Sequence, residues 1–164
     1  MADEIHTERL VLRRARLDDA AAMHAIMSDA AAMRYWSSLP HTSIEETERW
    51  MASMVEVDPA TSDDFIVTLD GALIGKLGAW QLPEVGFLLA PAQMGKRYAS
   101  EAFAAFIAWR RARGSSELTA DVDPRNVASL ALLKRNGFVE TGRALGTWQI
   151  GDELCDSIYL RLAL

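Results

Sequence analysis

The sequence predicts an α/β (α+β) fold, a mixed and mostly antiparallel sheet of about seven strands flanked by about four helices. Three observations lead there. The earlier and the final strand-like runs are joined by hairpin turns, whereas the later strands between them are reached through segments long enough to be helices. No repeat, low-complexity tract or Pro/Gly/Ser-rich linker breaks the order, so residues 1–164 are expected to form one domain.

Arg9 to Arg14 alternates Leu10 and Leu12 against charged neighbours and reads as a first strand. Asp18 is placed to cap a helix whose Met23, Ile26, Met27 and Ala30 share one face. Ser43 and Glu46 have capping-box spacing at the start of a second helix that runs through Trp50, Met51 and Met54. Phe65 to Leu69 and Leu73 to Trp80 flank Asp70-Gly71, a dipeptide preferred in tight hairpins, and Val85 to Leu89 follows as a short strand ending before Pro91. A helix is expected from about Ala99 to Arg113, ended by Gly114, then a strand from Leu118 to Val122. Asn126 caps a short helix that Asn136-Gly137 terminates, and Phe138 to Ala144 with Leu154 to Leu162 makes a closing hairpin.

Composition removes several functional classes. A net charge of −6 argues against nonspecific nucleic-acid binding. No apolar run approaches the roughly 20 residues of a membrane span, and Asp3 and Glu4 are acidic where a secretory signal is basic, so the expected location is cytoplasmic. The lone Cys155 excludes an internal disulfide, and its strand-like neighbours contain no histidine to activate a nucleophile. His6, His24 and His41 lack metal-ligand spacing, so no metal is expected. Charge is uneven: acid dominates the first half, but from Gly95 to Arg143 basic residues outnumber acidic ones and the segment is suited to an anion. Arg110, Arg111 and Arg113 read as a solvated helix face, which leaves Lys96 and Arg97 as the informative cations.

Two phosphate-loop look-alikes fail. Gly71-Ala72-Leu73-Ile74-Gly75-Lys76 is one residue short of a P-loop, lacks the following Ser or Thr and falls inside a strand; no Gly-x-Gly-x-x-Gly is present.

Four segments taken in order resemble the GNAT acetyltransferases: Glu84-Val85-Gly86-Phe87, Met94-Gly95-Lys96-Arg97-Tyr98-Ala99-Ser100-Glu101-Ala102, Asn126-Val127-Ala128-Ser129, and Lys134-Arg135-Asn136-Gly137-Phe138. The opening Thr7-Glu8-Arg9-Leu10-Val11-Leu12-Arg13 and the stretch from Arg34-Tyr35-Trp36 to Trp50 resemble the subgroup of ribosomal-protein N-terminal acetyltransferases. The resemblance implies acetyl-CoA as acyl donor, a primary amine as acceptor, direct attack in a ternary complex, and members that often dimerise. It implies that the loop of Met94, Gly95, Lys96, Arg97, Tyr98 and Ala99 wraps the coenzyme's pyrophosphate, as suits the free N–H groups and positive end of a helix that starts there. Met94 stands where the family usually has Gln or Arg, and Arg97 where it has Gly. Leu88 and Leu89 are implied to pair by backbone with the pantetheine arm, and Asn126 to reach the coenzyme as well as cap its helix.

Acetyl transfer requires a neutral amine, a stabilised oxyanion and a proton for the departing thiolate. The resemblance gives the amine to Glu84, usually through water, and the thiolate to Ser129, because Leu133 stands where the family's more familiar tyrosine donor lies. Tyr35, Trp36 and Trp50 fall where the family walls its acceptor site. Bland roles stand beside each of these: an exposed strand-end carboxylate for Glu84, helix packing for Ser129, core packing for the three aromatics. Neutralising an α-amino group near pKa 7.8 at pH 7 costs about 1 kcal/mol, against about 4–5 for a lysine, so a weak base suits a protein N-terminus or a modest-pKa small amine. Two other readings remain open. One is a CoA-binding regulatory module without turnover, the other an acyltransferase acting on a small cationic metabolite or antibiotic, which the acidic first half suits.

Overall fold

The computed structural model describes residues 3–164. The chain runs β1 (Glu4–His6), β2 (Leu10–Arg13), α1 (Ala20–Met27), α2 (Ile44–Glu56), β3 (Asp63–Leu69), β4 (Ala72–Gln81), β5 (Glu84–Leu89), α3 (Tyr98–Ala112), β6 (Glu117–Val122), α4 (Val127–Arg135), β7 (Val139–Ile150) and β8 (Glu153–Ala163). The strands form one eight-stranded sheet in the order β1-β2-β3-β4-β5-β6-β8-β7. The strand beyond the expected seven is β1, too short to show periodicity and held by three residues of antiparallel pairing with β2.

Local chemistry explains most of the boundaries. Asp70 and Gly71 both adopt positive φ (49° and 80°), the conformation a two-residue β3–β4 turn demands. Ser43 Oγ accepts from Glu46 N–H at 3.3 Å, but the Glu46 carboxylate reaches past the cap to Thr42 N–H at 2.9 Å. Asp19, not Asp18, organises the start of α1, accepting from the Arg16 N–H at 2.8 Å and from both terminal nitrogens of Arg13 at 2.8 and 2.6 Å. The helix stops at Met27, where Ser28 N–H and Oγ–H both turn back to the His24 carbonyl, so Ala30 lies beyond the helix and is exposed.

The sheet has two unlike faces. Against one, α3 and α4 pack Phe103, Phe106, Leu130 and Leu133 onto Phe65, Val67, Leu77 and Leu118, with edge-to-face ring pairs such as Phe65–Phe106 at 6.1 Å and Phe103–Phe138 at 5.8 Å. Against the other, α1 and α2 lay Met23, Met27, Met51 and Met54 over Ile66 and Leu88, and the loop between the helices adds Met33. Arg110 is not the solvated residue its helix pattern suggests: it donates to Asp63 at 2.7 Å, as do Arg14 at 2.6 Å and Trp109 Nε1 at 2.9 Å, so one buried carboxylate ties α3 to the sheet. Arg113 stacks 3.2 Å from the Trp109 ring centroid.

The joint between β4 and β5 allows no side chain at Gly75, where a Cβ would lie 2.1 Å from the Leu88 carbonyl oxygen. Gly75→Ala is expected to lower stability by about 1–3 kcal/mol. Gly86→Ala, whose new methyl would meet only the Trp36 ring at 3.9 Å, is expected to change it little. Urea denaturation of the two variants checks both.

Candidate active site

β5 and β6 are parallel and share a single register pair, Glu84 with Thr119, beyond which they part. Each follows its other neighbour instead: β5 stays with β4 from Gly75↔Leu89 to Gly78↔Gly86, and β6 pairs with β8 along six residues. The wedge between them opens a cleft of about 1720 Å³, larger than the ~300–1,000 Å³ usual for one small ligand. Hydrogen bonds alternate along an antiparallel pair, and Ala90 N–H bonds Ile74 C=O at 2.8 Å across β4 and β5. Leu88 and Gly86 therefore turn their backbone groups toward β4, while Phe87 and Leu89 turn theirs into the opening. Leu88 and Leu89 both line the cleft with buried side chains, and Phe87, which sequence reasoning passed over, lines it too.

At one end of the cleft α3 presents its N-terminus. The first N–H to find a helical carbonyl belongs to Glu101, bonded to Arg97 at 3.0 Å, so the donors of Tyr98, Ala99 and Ser100 are left on the cleft wall. Glu101 does not block them. Its carboxylate is turned to Thr7 at 2.6 Å and to Arg9 at 2.9 and 2.7 Å, and these partners hold it below the usual carboxylate range despite the opposing effect of burial. Gly95 (φ 77°) and Arg97 (φ 65°) both adopt left-handed conformations, which costs a branched cation at Arg97 about 1–2 kcal/mol that glycine avoids. Met94, Gly95 and Arg97 line the cleft; the exposed Lys96 does not, and its ammonium donates to Gln93 Oε1 at 3.2 Å.

Asn126 Oδ1 accepts from Ser129 N–H at 3.2 Å and so caps α4 on the cleft wall. Ser129 is buried one turn into the helix and its hydroxyl has no hydrogen-bond partner among the described residues. Leu133, a turn further on, belongs to the core and brings no proton donor. Glu84 sits at the mouth where β5 and β6 diverge. Its carboxyl reaches solvent, yet the cleft walls desolvate it enough to push its pKa above the usual carboxylate range, and the Asp121 carboxylate pushes the same way. Asp121 is held by Trp148 Nε1 at 2.9 Å.

The opposite wall comes from the loop between α1 and α2, which carries Tyr35 and Trp36, and from Trp50 on α2. The loop is pinned where it rejoins the helices: His41 N–H bonds Met27 C=O at 2.8 Å, and the buried Thr47 hydroxyl meets Nδ1 of His24 at 2.6 Å and of His41 at 2.7 Å. Burial holds the His41 pKa below its usual value. Beneath the two tryptophans lies the buried pair Lys76–Asp64, at 2.6 Å, which the sequence signals only as two polar residues in apolar strands. Tyr35, Trp36, Trp50, Glu84, Ser129 and Asn126 thus converge on one cleft. Cys155 also borders it, 3.6 Å from the Arg125 guanidinium. Among the described residues no group of His, Cys, Asp and Glu is arranged to hold a metal ion.

Residues 9–139 match the family model of the acetyltransferase (GNAT) domain. This chain belongs to the GNAT family. The uncharacterized N-acetyltransferase p20 of Bacillus licheniformis is 26% identical over 150 residues, which cover 85% of this chain and 84% of that protein. Solved structures share the fold, two of them with named acceptors. The Salmonella typhimurium acetyltransferase that modifies the N-terminal serine of ribosomal protein L7/L12 superposes with a TM-score of 0.88 at 18% identity over 99% of each chain. The Vibrio cholerae spermidine N-acetyltransferase, solved with CoA and spermine, gives 0.81 at 20% identity over 94% of this chain and 95% of its own.

Arg97 is the one cation of the loop on the cleft wall. Arg97→Gly is expected to weaken CoA binding about three- to fivefold, the worth of one exposed ion contact, and to flatten its salt dependence. Thermal stability should hold, since relief of left-handed strain offsets the added freedom of the unfolded chain. Titration calorimetry at two salt concentrations, with a melting curve, measures both.

Proposed function

We propose that this chain is a single-domain, acetyl-CoA-dependent N-acetyltransferase whose acceptor is a protein N-terminus or a small primary amine. The observation that carries the reading is the wedge between β5 and β6. It leaves backbone donors and acceptors at Phe87 and Leu89 without strand partners, in a cleft that has an anion-ready helix N-terminus at one end and a carboxyl of raised pKa at the other. Phosphate groups of CoA suit the first turn of α3 and the Gly95–Arg97 loop, and an extended pantetheine arm suits the free edge of β5. Relatives of the same fold include one that modifies a ribosomal protein's N-terminal serine and one solved with CoA and spermine, which supports acetyl-CoA as donor and an amine as acceptor.

In the reaction the amine nitrogen attacks the thioester carbonyl, a C–N bond forms, and collapse of the tetrahedral intermediate breaks the C–S bond. Glu84 takes the proton the nitrogen must lose, directly or through water. A carboxylate of raised pKa is a better base than an ordinary one, and it works only when ionised. The Ser129 hydroxyl, unclaimed by the protein, donates toward the departing thiolate. A cytoplasmic setting, where acetyl-CoA is made and used, belongs to this reading. A second copy of the chain would find a free backbone edge at β7, the longer of the sheet's two edge strands.

Amine-dependent thiol release from acetyl-CoA is the test. Glu84→Gln should lower kcat roughly 100-fold, and Ser129→Ala roughly tenfold, with CoA affinity retained in both. CoA binding without release for any amine would favour a regulatory role. The acid limb of the pH–rate profile carries a further expectation. Activity falls as pH drops through the raised Glu84 pKa, and Asp121→Asn removes a charge that raises it, so the limb should move to lower pH in that variant.

A further inference from the structure

Gly78 and Gly86 face each other across β4 and β5 and both line the cleft, and at Gly86 the floor beneath Trp36 is bare, since a side chain there would meet only the Trp36 ring at 3.9 Å. Along β5 this bare floor is bounded on one side by Glu84 and on the other by Leu88, whose partner on β4 is Lys76. Glu84 and the Lys76 level are four residues apart, about 13 Å along a strand. The floor therefore runs from an acidic end to a basic one.

Lys76 is 4% exposed and is the buried one among the cations lining the cleft, where Arg34, Arg97 and Arg135 are exposed. Its ammonium spends one hydrogen bond on Asp64, behind it and outside the cleft lining. Its other donors have only ring faces, with the Trp36 centroid 5.4 Å and the Trp50 centroid 5.9 Å away. Asp64 is in turn half satisfied, since its Oδ1 is buried without a hydrogen-bond partner among the described residues. An apolar pair of similar volume would usually be as stable as such an ion pair, so packing alone does not account for this one.

We propose that Lys76 determines acceptor specificity. Its ammonium receives a carboxylate or carbonyl oxygen of an amine laid across the Gly78–Gly86 floor, which selects α-amino carbonyl compounds over polyamines. Asp64 and the two tryptophans hold the ammonium in place, and a diamine or polyamine would bring a second positive charge beside one that cannot move away. The proposal rests on the acetyltransferase reading and names the class of its acceptor; free amino acids and peptide N-termini offer the same chemistry.

The test compares kcat/KM for alanine, trialanine amide and 1,4-diaminobutane with the full-length protein. At least one of the first two should exceed the diamine tenfold or more. Lys76→Met should lower that preferred substrate about 10- to 100-fold, the worth of a hydrogen bond to a charged group, with the diamine unchanged or improved and CoA affinity intact. Which of alanine and the peptide amide leads identifies the source of the oxygen. Because Lys76→Met strands Asp64, the doubly neutral Lys76→Met/Asp64→Leu variant repeats the comparison in a protein with no orphaned charge. A wild type that prefers the diamine, or variants that lose all three substrates equally while still binding CoA, would overturn the proposal. Titration of the same three compounds into CoA-loaded protein carries the same ranking without turnover, so a diamine that binds as tightly as the others, or no binding by any of them, also overturns it. Failure of the acetyltransferase reading itself would show differently, as absence of CoA binding and thiol release.

Discussion

The parting of β5 from β6 is the constraint on which the rest of the molecule depends. A sheet normally satisfies its backbone groups by pairing every strand on both sides, and a buried unpaired N–H or C=O is costly. Here the middle of an eight-stranded sheet abandons that rule after one residue pair. The halves stay open because each diverging strand is bound more extensively to its outer neighbour, and because Phe87, Phe103 and Phe138 stack edge to face under the wedge. In the proposed function a ligand with an extended, amide-bearing arm would complete what the sheet leaves undone, so that binding site would follow directly from an incomplete secondary structure.

The two faces of the sheet divide the work. The α3/α4 face is built of rings and branched residues in fixed geometry and is tied down by Asp63, which gathers Arg14, Trp109 and Arg110. It carries the α3 N-terminus, the Asn126 cap and the Ser129 hydroxyl. The α1/α2 face is packed with methionines, unbranched and adaptable, and it carries the loop of Tyr35 and Trp36 over the glycine floor. Under the proposed function the α3/α4 face would form a rigid donor side and the α1/α2 face a more compliant acceptor side.

Sequence patterns carried the fold well because its boundaries are set by local chemistry: the Asp70-Gly71 turn, the Ser43 and Asn126 caps, Gly114 and Gly137 after helices. They carried less of the cleft. Glu84, Ser129, Asn126 and the three aromatics are brought together, but nothing local distinguishes Phe87 from Leu88 as the residue with a free backbone, because that depends on which hydrogen bonds β4 takes. Lys96 and Arg97 are adjacent and equally basic in sequence, and only the left-handed turn at Arg97 sends one to the cleft and the other to Gln93. Lys76 was hidden by a different mechanism. It reads as the end of a failed phosphate loop, and its partner Asp64 is twelve residues away across a hairpin.

The charges along the cleft also bear on how it can work as a whole. Burial first and the Asp121 carboxylate second raise the pKa of Glu84, and the pair of acids keeps that end acidic, which would draw a protonated amine in but also favour its protonated form. A raised carboxylate pKa offsets part of that difficulty by making Glu84 readier to accept the proton. At the far end of the glycine floor the Lys76 ammonium acts in the opposite sense, since a nearby positive charge favours a neutral amine. On the proposed reading, an acceptor held between the two would be attracted by one and encouraged to deprotonate by the other, an arrangement that a uniformly acidic cleft would not provide.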